Sequence, residues 1–180
     1  MSCLFPVRMF RVTGRADRET EINSHYRIAL GGKTTVGEAL FLSYDNSAYF
    51  DGDWAWTVHP FSISDPRLRN GDKTISFALS VYLNSGFSYV ICSSVVLLYE
   101  KIRGAVLQDI TAEHFDVVSF TLICSEETLR RRFAQRGSEG EVSFEWLHTP
   151  PHPGDVVIRT DGKTVEEITN EMRRTIDGFV

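Results

Sequence analysis

Little in this chain marks it for several common functional classes. Its cysteines number three (Cys3, Cys92, Cys124), an odd count with no metal-like spacing. That removes a disulfide scaffold or a zinc cluster as the organising principle. Cys92 and Cys124 close apolar runs and read as buried free thiols of a reducing cytosol. No apolar stretch reaches the roughly 18–20 residues of a membrane span, and the segment Tyr89 to Tyr99 falls well short. Basic residues are not in excess: 19 Lys and Arg against 24 Asp and Glu give a net charge of −5. That balance argues against a general nucleic-acid binder. Met1 to Val12 is broken by Arg8 and Arg11 and lacks a small-residue cleavage site, so a secretory signal is not expected. Asp17, Glu19 and Glu21 argue against a transit peptide. Internal repeats, low-complexity tracts and an interdomain linker are missing, as is the Asn-Lys-x-Asp element by which GTPase switches read guanine. What remains is ordinary globular composition. With 180 residues, 42% hydrophobic and 24% charged, the chain is expected to form one domain with its own core, 1–180.

Along the chain, strand and helix signals alternate. Arg8 to Thr13 reads as a strand ending at Gly14, and Ser47 to Asp51 as a short strand ending in acid. Phe87 to Ser93, Val117 to Cys124 and Val156 to Thr160 read as further strands. Phe87 to Ser93 is almost continuously apolar, as expected of a strand covered on both faces of a parallel sheet. Between the strands, helices are expected over Lys33 to Leu42, Pro66 to Asn84, Val95 to Asp109, Ser125 to about Gln135, and Thr164 to Ile176. This order predicts an α/β fold: one doubly wound sheet of five strands, mostly parallel, with helices on both faces.

The most informative run is Gly31-Gly32-Lys33-Thr34-Thr35-Val36-Gly37-Glu38-Ala39-Leu40. It reads as the back half of a phosphate-binding loop opening into a helix. Gly31 and Gly32 let backbone approach a phosphate, Lys33 is a point charge for the outer phosphates, and the Thr34 hydroxyl suits Mg²⁺. Thr35 follows in the same first turn. In such sheets ligands sit beyond the carboxyl ends of the strands. The polar residues at those ends are Asp51 and Asp53, Ser93 and Ser94, Ser125 and Glu126, and Thr160 to Gly162. An acid at a strand end can take a proton from a hydroxyl, ligate a metal or orient a substrate, and it can equally well only turn the chain.

With these residues the chain resembles the P-loop small-molecule and nucleotide kinases. The resemblance is carried by G-G-K-T-T-V-G-E-A-L, by Asp51-Gly52-Asp53, by the arginine helix Glu126 to Arg136 and by Thr160-Asp161-Gly162. It covers nearly everything from Gly31 onward. The D-G-D element is similar to that of gluconate kinase and adenylylsulfate kinase, and D-G-D-W-A-W-T-V-H-P-F looks closer still to a group of uncharacterised nucleotide-kinase-like proteins. The resemblance implies a three-layer kinase-type sandwich, ATP and Mg²⁺ as cofactors, and a small hydroxyl- or phosphate-bearing acceptor in the cytoplasm. Neither nucleic acid nor membrane is implied as a partner, and monomer and homodimer both remain open. Lys33 and Thr34 would serve phosphate and metal, with Asp51 as a further metal ligand. Asp53, or in exchange Asp51, would serve the acceptor. Arg132 or Arg136 would stabilise the transferring phosphoryl group. Arg130, Asp161 and Gly162 would lie against the nucleotide, and about 130–150 would form a lid.

Trp54, Trp56, His59 and Phe61 offer either a stacking surface for a flat acceptor or packing for the helix that follows. His148 and His152, beside prolines, read as a stiff loop. The sequence also departs from the kinase pattern. Arg27 stands where the loop's first glycine belongs; Gly14 fits that glycine in composition, yet seventeen residues separate it from Gly32 where the pattern has four. Residues 15–30 are therefore expected to be either an insertion, exposed and poorly ordered, or in part a gene-model error such as a retained intron. A rival first strand, His25 to Leu30, would leave no room for the loop to wrap a phosphate. The alternative function is a degenerate nucleotide-binding protein that performs no transfer.

Overall fold

The structure, a computed structural model, describes residues 2–12, 32–62, 64–135 and 150–178. The expectations for Gly14, Gly31, Arg136, His148, residues 15–30 and most of the lid fall outside these residues.

The strands are β1 (Ser2–Val12), β2 (Ser47–Asp51), β3 (Tyr89–Ser93), β4 (Phe115–Ser125) and β5 (Val156–Arg159). The helices are α1 (Gly32–Leu42), α2 (Arg69–Asn84), α3 (Glu100–Gln108), α4 (Glu126–Gln135) and α5 (Val165–Asp177). One five-stranded sheet has the order β2-β3-β1-β4-β5. Period-two alternation sends successive residues to opposite faces. In β3, Val90 and Cys92 join Phe10, Ile75, Leu79 and Val106 on the face covered by α2 and α3. Ile91 joins Val7, Leu40, Phe120, Ile168 and Met172 on the face covered by α1 and α5. Each such large side chain, fully buried, contributes about 1.5–3 kcal/mol. The molecule is thus α/β, with helices on both faces of the sheet.

The sheet corrects one expectation. β2 pairs with β3, and β4 with β5, in parallel. The central strand β1 is antiparallel to both of its neighbours, β3 and β4. Four strands share a direction and the fifth opposes them, so the sheet is mixed. Ser2 lies opposite Ser125, at the carboxyl end of β4, while Val12 lies opposite Phe115 at its amino end. The strand expected to run through Arg8 to Thr13 into Gly14 and the phosphate loop therefore leaves the sheet at its far end. The physical reason is that alternation reports which face a residue occupies, not which way the strand points. Direction is a choice of long-range pairing.

Helix boundaries were shifted by local bonding. The single helix expected over Val95 to Asp109 is a 3₁₀ turn, Val95–Leu98, followed by α3, with Tyr99 extended between them. The Val95 N–H at the start of the turn is taken by the Asp53 side chain at 3.0 Å. α5 starts with the reciprocal capping box predicted by its sequence: Thr164 Oγ1 accepts from Glu167 N, and the Glu167 side chain accepts from Thr164 N.

Candidate functional site

α1 begins with Gly32, and its first turn presents Lys33, Thr34 and Thr35, all half-buried, at the carboxyl ends of β2 and β3. Close packing fixes the helix there. A Cβ on Gly37 would lie 2.9 Å from the Tyr49 ring, so only glycine lets α1 settle this deeply on β2. Tyr49 Oη in turn shares a 2.6 Å hydrogen bond with Ser93 Oγ.

β2 ends in Asp51 and passes into a 3₁₀ turn, Gly52–Trp56. Asp51 caps that turn, its Oδ1 accepting from Asp53 N at 3.0 Å. Its Oδ2 accepts from Thr34 Oγ1 at 3.1 Å. Gly52 is needed because a Cβ there would lie 2.9 Å from Ser94 Cβ. This close approach brings the Asp53 carboxylate onto Ser94. Asp53 Oδ1 accepts from Ser94 Oγ at 2.8 Å and from Val95 N, while Oδ2 pairs with Lys33 Nζ at 2.5 Å. Lys33 Nζ also donates to Thr34 Oγ1 at 3.4 Å. Residues separated in sequence by up to 61 positions (Lys33 to Ser94) thus form one hydrogen-bonded chain.

Arg132, on α4, reaches the same helix start from the opposite side. Its Nη1 donates to Thr160 Oγ1 and its Nη2 to the Thr160 carbonyl, both at 3.1 Å. A Cβ on Gly32 would lie 3.6 Å from Arg132 Nη1. Two cations, Lys33 and Arg132, therefore flank the start of α1. Anions are favoured in such surroundings by helix dipole and charge together.

The other candidate residues occupy different surroundings. Arg130 lies on the exposed face of α4, paired with Glu126 at 2.6 Å. Asp161 is tied into the fold: Ser125 N and Ser125 Oγ donate to it at 2.9 and 2.8 Å, and Arg159 pairs with it at 3.2 Å. The Ser125 backbone bond, with side-chain bonds from Thr128, Ser125 and Arg159, holds its carboxyl well below the usual range although burial pushes the other way. Gly162 follows at φ 70°, the left-handed backbone that favours glycine. Of the aromatic group, Trp56 is buried and donates Nε1–H to Asp72 Oδ1 at 3.2 Å, which is the packing role. Trp54 and Phe61 are 73% and 60% exposed. His59 is exposed too, ahead of a cis bond to Pro60.

Sequence reasoning placed Ser94 only among the polar residues at the strand ends, where it is the hydroxyl that anchors Asp53, and it passed over Glu38. Glu38, four positions after Thr34, lies on the same face of α1 one turn deeper. Its Oε2 is buried and, among the described residues, is the one buried side-chain oxygen or nitrogen with no hydrogen-bond partner. Loss of solvent, and then the neighbouring Asp51 charge, raise its pKa. The i, i+4 spacing to Thr34 was the available signal.

Thr34 and Asp51 are hard oxygen donors of the kind Mg²⁺ takes, an ion usually held by one or two carboxylates with phosphate oxygens and waters. Among the described residues no three His, Cys, Asp or Glu side chains group as a metal cage. Among the described residues, no helix is long and apolar enough to cross a membrane. Neither a protein-family model nor a curated protein matches the chain.

Proposed function

We propose that this chain is a phosphotransferase of the P-loop kinase kind, moving the γ-phosphoryl group of ATP to a small hydroxyl- or phosphate-bearing acceptor in the cytoplasm. One observation carries the reading. Lys33 and Thr34, in the first turn of α1, meet Asp53 and Asp51 at the end of β2, with Arg132 against the same helix start.

Each residue then has a role that its chemistry suits. Lys33 leaves Asp53 for the β- and γ-phosphates, which offer it more negative charge. Arg132 stands where charge grows on the transferred group, and a fixed cation there stabilises the transition state. Thr34 and Asp51 would hold Mg²⁺, which when bound would neutralise phosphate charge. Once Lys33 has moved, Asp53 Oδ2 is open to the acceptor, while Ser94 and Val95 N still fix Oδ1. The acceptor hydroxyl gives its proton to Asp53 as its oxygen bonds to the γ-phosphorus. The bond from that phosphorus to the β–γ bridging oxygen breaks, and ADP leaves with the electron pair.

A second reading, a nucleotide-binding protein without transfer, draws on the reversed direction of β1 and on Arg27 at the place of the first loop glycine. ATP affinity and hydrolysis, measured with and without Mg²⁺, decide between the two. Binding with Mg²⁺-dependent turnover supports transfer, and a screen over nucleosides, nucleotides, sugars and antibiotics identifies the acceptor. Tight binding with no turnover on any acceptor supports the second reading. Absence of ATP binding overturns both.

A further inference from the structure

Glu38 is the least satisfied polar group of the described structure. Its Oε2 is shielded from water and lacks a hydrogen-bond partner, and it senses the Asp51 charge. Burying a carboxylate oxygen in this way is costly, and burying it beside a second carboxylate more so. Nothing in the packing calls for an acid here: α1 seats on the sheet through Val36, Gly37 and Leu40. A cation beside the two carboxylates removes both penalties at once.

We propose that Glu38 is a positioning residue for the divalent cation of the phosphate site, acting in its outer shell behind Thr34 and Asp51. The assignment rests on the phosphate-site reading above. Four residues along a helix advance about 6 Å. Thr34 and Glu38 share a face of α1, so Thr34 would hold the ion and the Glu38 charge would act on it from one turn deeper, where its Oε2 has no partner of its own. Loss of an outer-shell partner commonly costs about 10–100-fold in metal affinity.

The test uses the full chain, Mn²⁺ as the probe, and a non-hydrolysable ATP analogue. Free Mn²⁺ is counted by electron paramagnetic resonance for the wild type and for Glu38→Gln, which keeps the shape and loses the charge. Analogue affinity is measured separately in EDTA. The expected result is Mn²⁺ affinity weaker by about 10–100-fold in Glu38→Gln, with unchanged analogue affinity in EDTA. Equal Mn²⁺ affinity in the two proteins overturns the assignment while leaving the phosphate-site reading standing. Should Glu38→Gln fail to fold, Glu38→Asp is judged by the same criterion: weaker Mn²⁺ binding supports the role, and unchanged binding overturns it. A wild type that binds neither analogue nor Mn²⁺ with analogue sinks the phosphate-site reading, and this assignment with it.

Discussion

Two polar groups stand at the carboxyl ends of the strands, on either side of β1, and they are built differently. Beyond β4 and β5, Ser125, Arg159 and Asp161 bond to one another, and Arg132 places two donors on Thr160. Asp161 is held ionised by these bonds, its pKa lowered. Beyond β2 and β3, Lys33, Thr34, Asp51 and Asp53 are linked as well, yet Glu38 beside them has an orphaned oxygen and a raised pKa. The first group fastens α4 to the sheet. The second contains unmet demand for positive charge. Polar groups that satisfy one another stabilise a fold, whereas groups left in conflict by the packing mark the place where a ligand is expected.

The strongest way to break this comparison is Lys33→Met, which keeps an apolar stem and removes the charge. Turnover with a verified acceptor is expected to fall by about 10²–10³-fold, the cost of losing one transition-state donor. The melting temperature should fall as well, because Lys33 is mostly buried and its loss leaves Asp53 without its cation. Near-normal turnover in a steady-state assay would remove the kinase reading.

Asp161→Ala strikes the other group. Ser125 N loses its acceptor and α4 its anchor, so stability should fall by about 1–3 kcal/mol in urea unfolding. ATP affinity should change far less than in Lys33→Met. An equal loss of both would show that the two groups act as one.

Acid sharpens the contrast, because the two carboxylates respond with opposite sign. Asp161 has a lowered folded pKa, so its contribution is present above the ordinary value of 3.8 and is lost as pH falls through the folded one. Glu38 has a raised folded pKa, so its contribution is present below the ordinary value of 4.5 and is lost as pH rises through the folded one. In EDTA, Glu38→Gln should therefore melt about 2–4 °C above the wild type at pH 7, the shift that ~1 kcal/mol gives in a chain of this size. The gap should close toward pH 4. Calorimetry across this range checks it, and a gap independent of pH would contradict the cause given for the shift.

The smallest effect on stability is expected at Trp54, 73% exposed. Trp54→Ala should change unfolding free energy by no more than about 0.5 kcal/mol. If the ring stacks on a flat acceptor next to Asp53, KM for that acceptor should rise while ATP affinity holds. Steady-state kinetics separate the two, and an unchanged KM leaves Trp54 as surface alone.

The sequence by itself determined the elements and their chemistry. The alternation of apolar runs with amphipathic stretches placed four of the five strands and the helices close to where they lie, because periodicity is a local property of burial. G-G-K-T-T and D-G-D named the residues that meet at the ends of β2 and β3, because glycine, lysine, threonine and aspartate are chosen there for their own shape and charge. Three matters were decided only by the tertiary structure. The direction of β1 follows from pairings such as Val7 with Ser93 and with Phe120, remote in the chain, and no local pattern encodes it. Packing divided the aromatic group: Trp56 went to the core through Asp72 and Trp54 to the surface, although the two are alike in composition. The penalty on Glu38 comes first from its burial and then from the charge of Asp51, a residue of β2 and not of its own helix. Sequence records what each side chain can offer; whether a partner meets it depends on contacts between distant segments, and those exist only once the chain has folded.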